Sequence, residues 1–295
     1  MTWRGFSVFG LLLIVLGLMM SAPAALAIGA GDMDAASAFG LSALIAIVAG
    51  GLLAIAQYGS SPASETVGEF TTLLAAFLIA PAVAAAPVAL LSNQIRYEAA
   101  YFEMVSTFTT TGATVFDRPD ELNPALHLWR GMTAWLGGLI ALTMAFALLA
   151  PRNLGGFEVR GDRGRSGAVG RLKGQPEWAG GRGREASADR VGAAMRMILP
   201  LYCGLTFGLG LILAASGMGP LNAAITAMGT LSTSGVKMTG GSAFANGGEA
   251  AEIVVVVFLI LSATRRTYGA AGQDGHRAGA PARSPCVGQR STGAS

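Results

Sequence analysis

An all-α polytopic membrane protein is the fold class that three observations predict. Of 295 residues, 52% are hydrophobic and only 13% are charged, against about 25% charged in ordinary soluble domains. The apolar residues gather into six runs, most of them near the ~20 residues a helix needs to cross a bilayer, and the mean hydropathy is +0.54. Two stretches, residues 101–115 (YFEMVSTFTTTGATV) and 224–237 (AITAMGTLSTSGVK), repeat one arrangement: a short, largely apolar helix, a group of Thr and Ser, then a single Gly. Backbone that is not helical is tolerated at membrane depth only where it lines a cavity or is buried in protein.

Composition also excludes several function classes. The formal net charge is +3 and aromatic content is 7%. No basic stretch is interleaved with the stacking aromatics that single-strand binders use, so no nucleic-acid partner is expected. The two cysteines, Cys203 in an apolar run and Cys286 near the end, fall on different elements, which argues against a disulfide framework or a metal site. No catalytic triad, metal-ligand cluster or phosphate loop is present, so neither an enzyme nor a cofactor is expected.

In chain order, the first apolar run covers about residues 6–30. It suits a spanning helix, and its Pro23-Ala24-Ala25-Leu26-Ala27 segment also suits a cleaved signal peptide. Asp32 and Asp34 occupy a short turn before the second run, residues 38–57. The third run, residues 70–91, contains Pro81 and Pro87, which membrane helices accept when neighbours re-satisfy the freed carbonyls. Residues 101–109 then make a helix too short to cross at 1.5 Å per residue. Glu103 on it is expected to face outward solvent or neighbouring polar groups.

The hydroxyl-rich turn after that helix can present successive backbone carbonyls, with Gly112 taking dihedrals closed to other residues. Carbonyl rings replace an ion's hydration shell, and a helix C-terminus carries partial negative charge that favours a cation. The chemistry these features suggest is monovalent-cation passage with no covalent step. A secondary transporter of another solute, which also uses broken helices and repeats, and a non-transporting membrane assembly protein are the alternative classes.

The fourth run, residues 126–150, is entered through His127, Trp129 and Arg130. Trp129 and Trp135 read either as interface anchors or as packing residues, and Gly137-Gly138 permits close helix approach. His127 reads as a boundary residue. The linker from residue 152 to 190 carries nine basic and five acidic side chains, a basic excess expected on the cytoplasmic side. The fifth run covers residues 195–216, a second short helix residues 221–231, and a second turn follows with Lys237 at its end. That ammonium is expected to point into outside solvent. The sixth run, residues 250–263, stops at Arg265-Arg266. Six crossings place both turns on the side opposite the basic linker, facing outward. Residues 267–295 lack periodicity and read as a disordered tail or as a shifted reading frame.

These motifs resemble those of one known family, the membrane subunits of Trk/Ktr-type potassium uptake systems. The resemblance is carried by Phe108-Thr109-Thr110-Thr111-Gly112-Ala113-Thr114-Val115, by residues 128–138 (LWRGMTAWLGG) and by Leu231-Ser232-Thr233-Ser234-Gly235. It implies two helix–pore-helix–filter–helix repeats preceded by two additional transmembrane helices. The corresponding segments are residues 1–64 (two-helix membrane segment), 65–151 (first pore repeat), 152–192 (linker), 193–264 (second pore repeat) and 265–295 (tail). The family resemblance makes Thr110, Thr111, Gly112 and Ala113 the first ion-filter segment and Thr233, Ser234, Gly235 and Val236 the second, with K⁺ as the transported ion. It further implies a multi-pass protein of the bacterial inner membrane, a homodimer and a cytoplasmic nucleotide-binding regulatory subunit. Family members have four such repeats around one pore, whereas this sequence holds two, so a truncated and inactive product is also expected.

Overall fold

The computed structural model describes residues 8–56, 65–91, 95–146, 183–238 and 248–263. Among the described residues the ordered elements are all helices: α1 (Val8–Met19), α2 (Ser21–Gly29), α3 (Met33–Ala56), α4 (Glu65–Leu91), α5 (Tyr97–Phe108), α6 (Pro124–Met144), α7 (Gly183–Ala215), α8 (Pro220–Leu231) and α9 (Gly248–Ala263), with a 3₁₀ turn at Pro119–Glu121 before α6. Most of the basic linker and the whole tail after residue 263 lie outside the described residues.

The first apolar run forms α1 and α2, which meet at Met20. Pro23 has no N–H for the Met19 carbonyl, yet Met20 stays in the right-handed region (φ −62°, ψ −18°). Its N–H still donates to Leu16 O at 3.0 Å. Residues 9–29, 33–56 and 191–215 are each long and apolar enough to cross a membrane. α4 runs unbroken through Pro81 and Pro87. Carbonyls within one position of those the prolines leave open take outside donors. Tyr101 Oη donates to Leu78 O at 3.0 Å, Tyr97 Oη to Ala82 O at 2.8 Å, and Trp129 Nε1 to Ala84 O at 2.9 Å.

α3 shows how the membrane inverts ordinary patterning. Its buried face is mostly small: Ala35, Ala38, Ser42, Ala46, Gly50 and Ala54, with Phe39 as the one large side chain. Leu41, Leu44, Ile45, Val48, Leu52 and Ile55 form the opposite face and stay half or more exposed. Small residues let helices approach closely in lipid, while such a broad apolar stripe is rare on soluble monomers.

Two units of the same build follow α3. In each, a long helix (α4 or α7) packs against a twelve-residue helix (α5 or α8), which at 1.5 Å per residue is about 18 Å long. A turn and a further helix (α6 or α9) complete the unit. α5 begins at Tyr97, one turn earlier than its sequence suggests, because Arg96 is already extended and leaves the N-terminus free to start there. α7 starts at Gly183, inside the stretch read as linker. α6 belongs to both units, since it packs against α5 and also against α8.

One end of the bundle is fastened by two caps. Asp32 Oδ1 accepts from Ala35 N at 2.9 Å and caps α3. Asn123 Oδ1 accepts from Ala125 N at 2.8 Å and caps α6, and its Nδ2 donates to Asp32 Oδ2. The acidic turn between α2 and α3 thus sits beside the start of α6.

Candidate functional site

The two turns expected to hold the ion-binding residues leave α5 and α8 by the same route, bond for bond. After α5, Thr110 N donates to Thr107 O at 3.0 Å, and Thr111 N and Gly112 N both donate to Ser106 O, at 2.8 and 3.3 Å. After α8, Thr233 N donates to Thr230 O at 3.0 Å, and Ser234 N and Gly235 N both donate to Gly229 O, at 3.0 and 3.2 Å. Side chains repeat as well. Thr109 Oγ1 lies 2.8 Å from Thr111 Oγ1, and Ser232 Oγ lies 2.9 Å from Ser234 Oγ.

Each turn is a Schellman close, in which N–H groups beyond the helix return to its last carbonyls. The left-handed position of that motif is normally glycine, but here it is Thr110 (φ 58°) and Thr233 (φ 58°). A β-branched residue at positive φ is a genuine outlier and costs about 1–3 kcal/mol. Two residues later the backbone is left-handed again, at Gly112 (φ 76°) and Gly235 (φ 68°).

The direction of the carbonyls follows from peptide geometry. The N–H groups of Thr110, Thr111 and Gly112 point back at α5, and no peptide bond among the described residues is cis. In a planar trans peptide the carbonyl points opposite to the N–H. The carbonyls of Thr109, Thr110 and Thr111 therefore point away from α5, and those of Ser232, Thr233 and Ser234 away from α8. Ala113 O is turned back instead, accepting from Ser106 Oγ at 2.6 Å. Thr110, Thr111, Thr233 and Ser234, expected from the sequence, fall within these rows, and Thr109 and Ser232 join them because a row of carbonyls starts one residue before the N–H groups that orient it.

Glycines bring the turns together. A Cβ on Gly112 would overlap Ser234 O, so the first turn lies against the second. A Cβ on Gly137 would overlap Phe108 O, at the end of α5, and one on Gly138 would come within 3.0 Å of Ser232 Cα, at the end of α8. Adjacent glycines of one helix thus seat the ends of both short helices.

The turns are fastened differently behind. Glu103 is fully buried, and Arg130 is 4% exposed. Arg130 Nε donates to Glu103 Oε1 at 2.6 Å, and Glu103 Oε2 accepts from Val115 N at 2.9 Å. Arg130 also lies over the Phe116 ring, 5.5 Å from its centroid. Glu103 therefore meets polar neighbours but not solvent. Trp129 is likewise fully buried, and with its indole N–H given to Ala84 it is a packing residue rather than an interface anchor. Trp135 packs on Tyr202, with centroids 5.2 Å apart, and donates to Thr206 Oγ1 at 2.9 Å. His127 is buried with Nε2 2.8 Å from Pro119 O, and Lys237 is half-buried.

At the exposed start of α5, Glu98 is held below the usual carboxylate range by a hydrogen bond to its own backbone and by Arg96 at 2.9 Å.

Known proteins resemble the chain in sequence and in helical fold. No family model matches the chain. Trk system potassium uptake protein TrkI of Halomonas elongata is 29% identical over 228 residues, 77% of this chain and 43% of the relative. Trk system potassium uptake protein TrkH of Vibrio parahaemolyticus is 27% identical over 168 residues, 57% of this chain and 32% of the relative. The crystal structure of the potassium transporter TrkH from Vibrio parahaemolyticus superposes with a TM-score of 0.72 at 24% identity, covering 90% of this chain and 51% of that one. The chain spans about half the length of these relatives or less. It is an all-α membrane protein that resembles the Trk-type potassium uptake membrane subunits in sequence and in fold.

Proposed function

We propose that this chain supplies two of the carbonyl-lined segments through which K⁺ crosses a membrane in a Trk-type potassium uptake system. The observation that carries the reading is the repeated turn. Three successive carbonyls point away from each short helix, and each turn is closed by a strained threonine and a glycine. Carbonyl rows at a helix C-terminus suit a dehydrated monovalent cation, which they hold firmly enough to enter and weakly enough to leave. Strain retained at two equivalent positions marks a site rather than an accident of packing.

On this reading α5 and α8 are pore helices and α4–α6 and α7–α9 are pore repeats. Thr110, Thr111 and Gly112, and Thr233, Ser234 and Gly235, are the filter segments, extended at their starts by Thr109 and Ser232, and Ala113 and Val236, whose carbonyls turn back to α5 and α8, fasten their ends. The filters face outward from the bacterial inner membrane, with the basic linker cytoplasmic. A complete ring needs further segments, from additional copies of the chain or from additional sequence. Homodimerisation and a cytoplasmic nucleotide-binding subunit belong to the same reading.

Growth on limiting potassium tests it. In a bacterium lacking its own uptake systems, this chain is expressed alone and also as a chimera replacing the matching segment of the Halomonas elongata TrkI. Rescue by the chimera is expected, and rescue by the chain alone would mean that copies complete the ring. A chimera that inserts in the membrane at normal levels without rescuing growth would overturn the proposal.

A further inference from the structure

The two turns are alike in backbone but not in what stands behind them. In the first, two side chains one turn apart on α5 reach the outgoing strand: Ser106 Oγ donates to Ala113 O at 2.6 Å, and Glu103 Oε2 accepts from Val115 N at 2.9 Å. In the second, the position of Ser106 is taken by Gly229, whose missing side chain lets Val236 O and Val236 N lie directly against it. The position of Glu103 is taken by Thr226, whose hydroxyl is paired with Asn222 Oδ1 at 3.4 Å instead. The second turn therefore lies directly on the α8 backbone, tied by its own Ser232 and Ser234 hydroxyls to Gly229 O at 3.3 and 3.4 Å, while the first is held off α5 by side chains that reach out from the helix itself.

That layer depends on a charge buried on all sides. Glu103 is reached by Arg130 from α6, and the guanidinium is itself buried, with Nη1 lacking a hydrogen-bond partner. Burying such a pair costs desolvation that hydrophobic replacements avoid, so it is weak evidence for stability by itself. Placement is what it provides: one carboxylate oxygen is fixed by Arg130 and the other fixes Val115, three residues beyond Gly112.

We infer that Glu103 is a positioning residue for the first turn, with Arg130 as the group that holds its carboxylate in place, and that this brace sets the cation preference of that turn alone. The inference rests on the reading of the turns as K⁺ segments. Loss of the brace frees the Val115 amide and lets the segment after Gly112 drift, while the second turn, where Gly229 and Thr226 stand in place of Ser106 and Glu103, keeps its geometry.

Hydrogen exchange of the TrkI chimera, in which the ring is complete, in lipid nanodiscs, followed by mass spectrometry in matched KCl and NaCl, tests this. Glu103→Leu with Arg130→Met removes the brace without leaving a buried charge unpaired. Exchange at residues 113–116 should rise about 10- to 100-fold, the size expected for losing a hydrogen bond to a charged group, with residues 232–237 unchanged. Any slowing of exchange by KCl over NaCl should be lost at the first turn and kept at the second. Glu103→Gln with Arg130→Gln restores an acceptor for Val115 and should return exchange towards the parent rate. Unchanged exchange at 113–116, or an equal rise at both turns, would overturn the inference. If the parent chimera exchanges identically in KCl and NaCl at both turns, the K⁺ reading falls instead, and the brace is judged on exchange alone.

Discussion

Gly112 and Gly235 allow a controlled comparison, because they share a backbone conformation but not a neighbourhood. Both are left-handed, at φ 76° and 68°, so an alanine at either pays about 1–2 kcal/mol for the dihedral. It recovers about 0.4–1 kcal/mol from a less flexible unfolded chain. Around Gly235 nothing lies within 4 Å of the added Cβ, whereas at Gly112 that carbon overlaps Ser234 O. Backbone cannot rotate aside as a side chain can, so an overpacking cost of about 1–3 kcal/mol is added at Gly112 only. Gly235→Ala should therefore cost at most about 2 kcal/mol and Gly112→Ala clearly more. Denaturant-induced unfolding in detergent micelles, with equal slopes for parent and variants, reads the difference. Equal costs at the two glycines would refute the contact between the turns.

Other substitutions test separate parts of the structure. Gly137→Ala drives a methyl into Phe108 O and should destabilise by at least about 1–3 kcal/mol, read as a lowered unfolding midpoint. Trp129→Phe keeps most of the packing but leaves Ala84 O without its indole donor at 2.9 Å; a loss of about 0.5–1.5 kcal/mol is expected in the same assay. Glu121→Gln breaks the pair with Arg118 at 2.9 Å, which is exposed on both sides, and should change stability by less than about 1 kcal/mol. Thr110→Gly relieves a positive φ of 58°, worth about 1–3 kcal/mol, at an entropic cost of about 0.4–1 kcal/mol, so stability should be unchanged or rise by up to about 2 kcal/mol. Potassium-limited growth of the corresponding chimera should nevertheless fall.

Much of the helical order was legible because long apolar runs have few other solutions in a membrane. The two short helices and their turns were legible too, since Ser and Thr grouped before one glycine between apolar runs is a distinctive pattern. Patterning could not reveal that Thr110 and Thr233, rather than the glycines, take the first left-handed position; propensity argues against it. The Glu103–Arg130 pair has a sequence signature of its own: one acidic and one basic residue, each in a largely apolar stretch, on helices that pack together. Trp129 misleads because an indole near the end of an apolar run looks the same whether it anchors at an interface or donates to a carbonyl beside the one a proline leaves open. α5 starts early because nothing in Arg96-Tyr97-Glu98 forbids helix, and Tyr97 is fastened to α4 by a contact no local pattern encodes.

The most direct test of the central claim is rubidium uptake through the chimera, with K⁺ and Na⁺ as competitors. Carbonyl rows at both turns predict that K⁺ suppresses rubidium entry at far lower concentration than Na⁺, and that Gly112→Ala abolishes this preference before it abolishes membrane insertion. Equal competition by the two ions, or a preference untouched by changes at both Gly112 and Gly235, would contradict it.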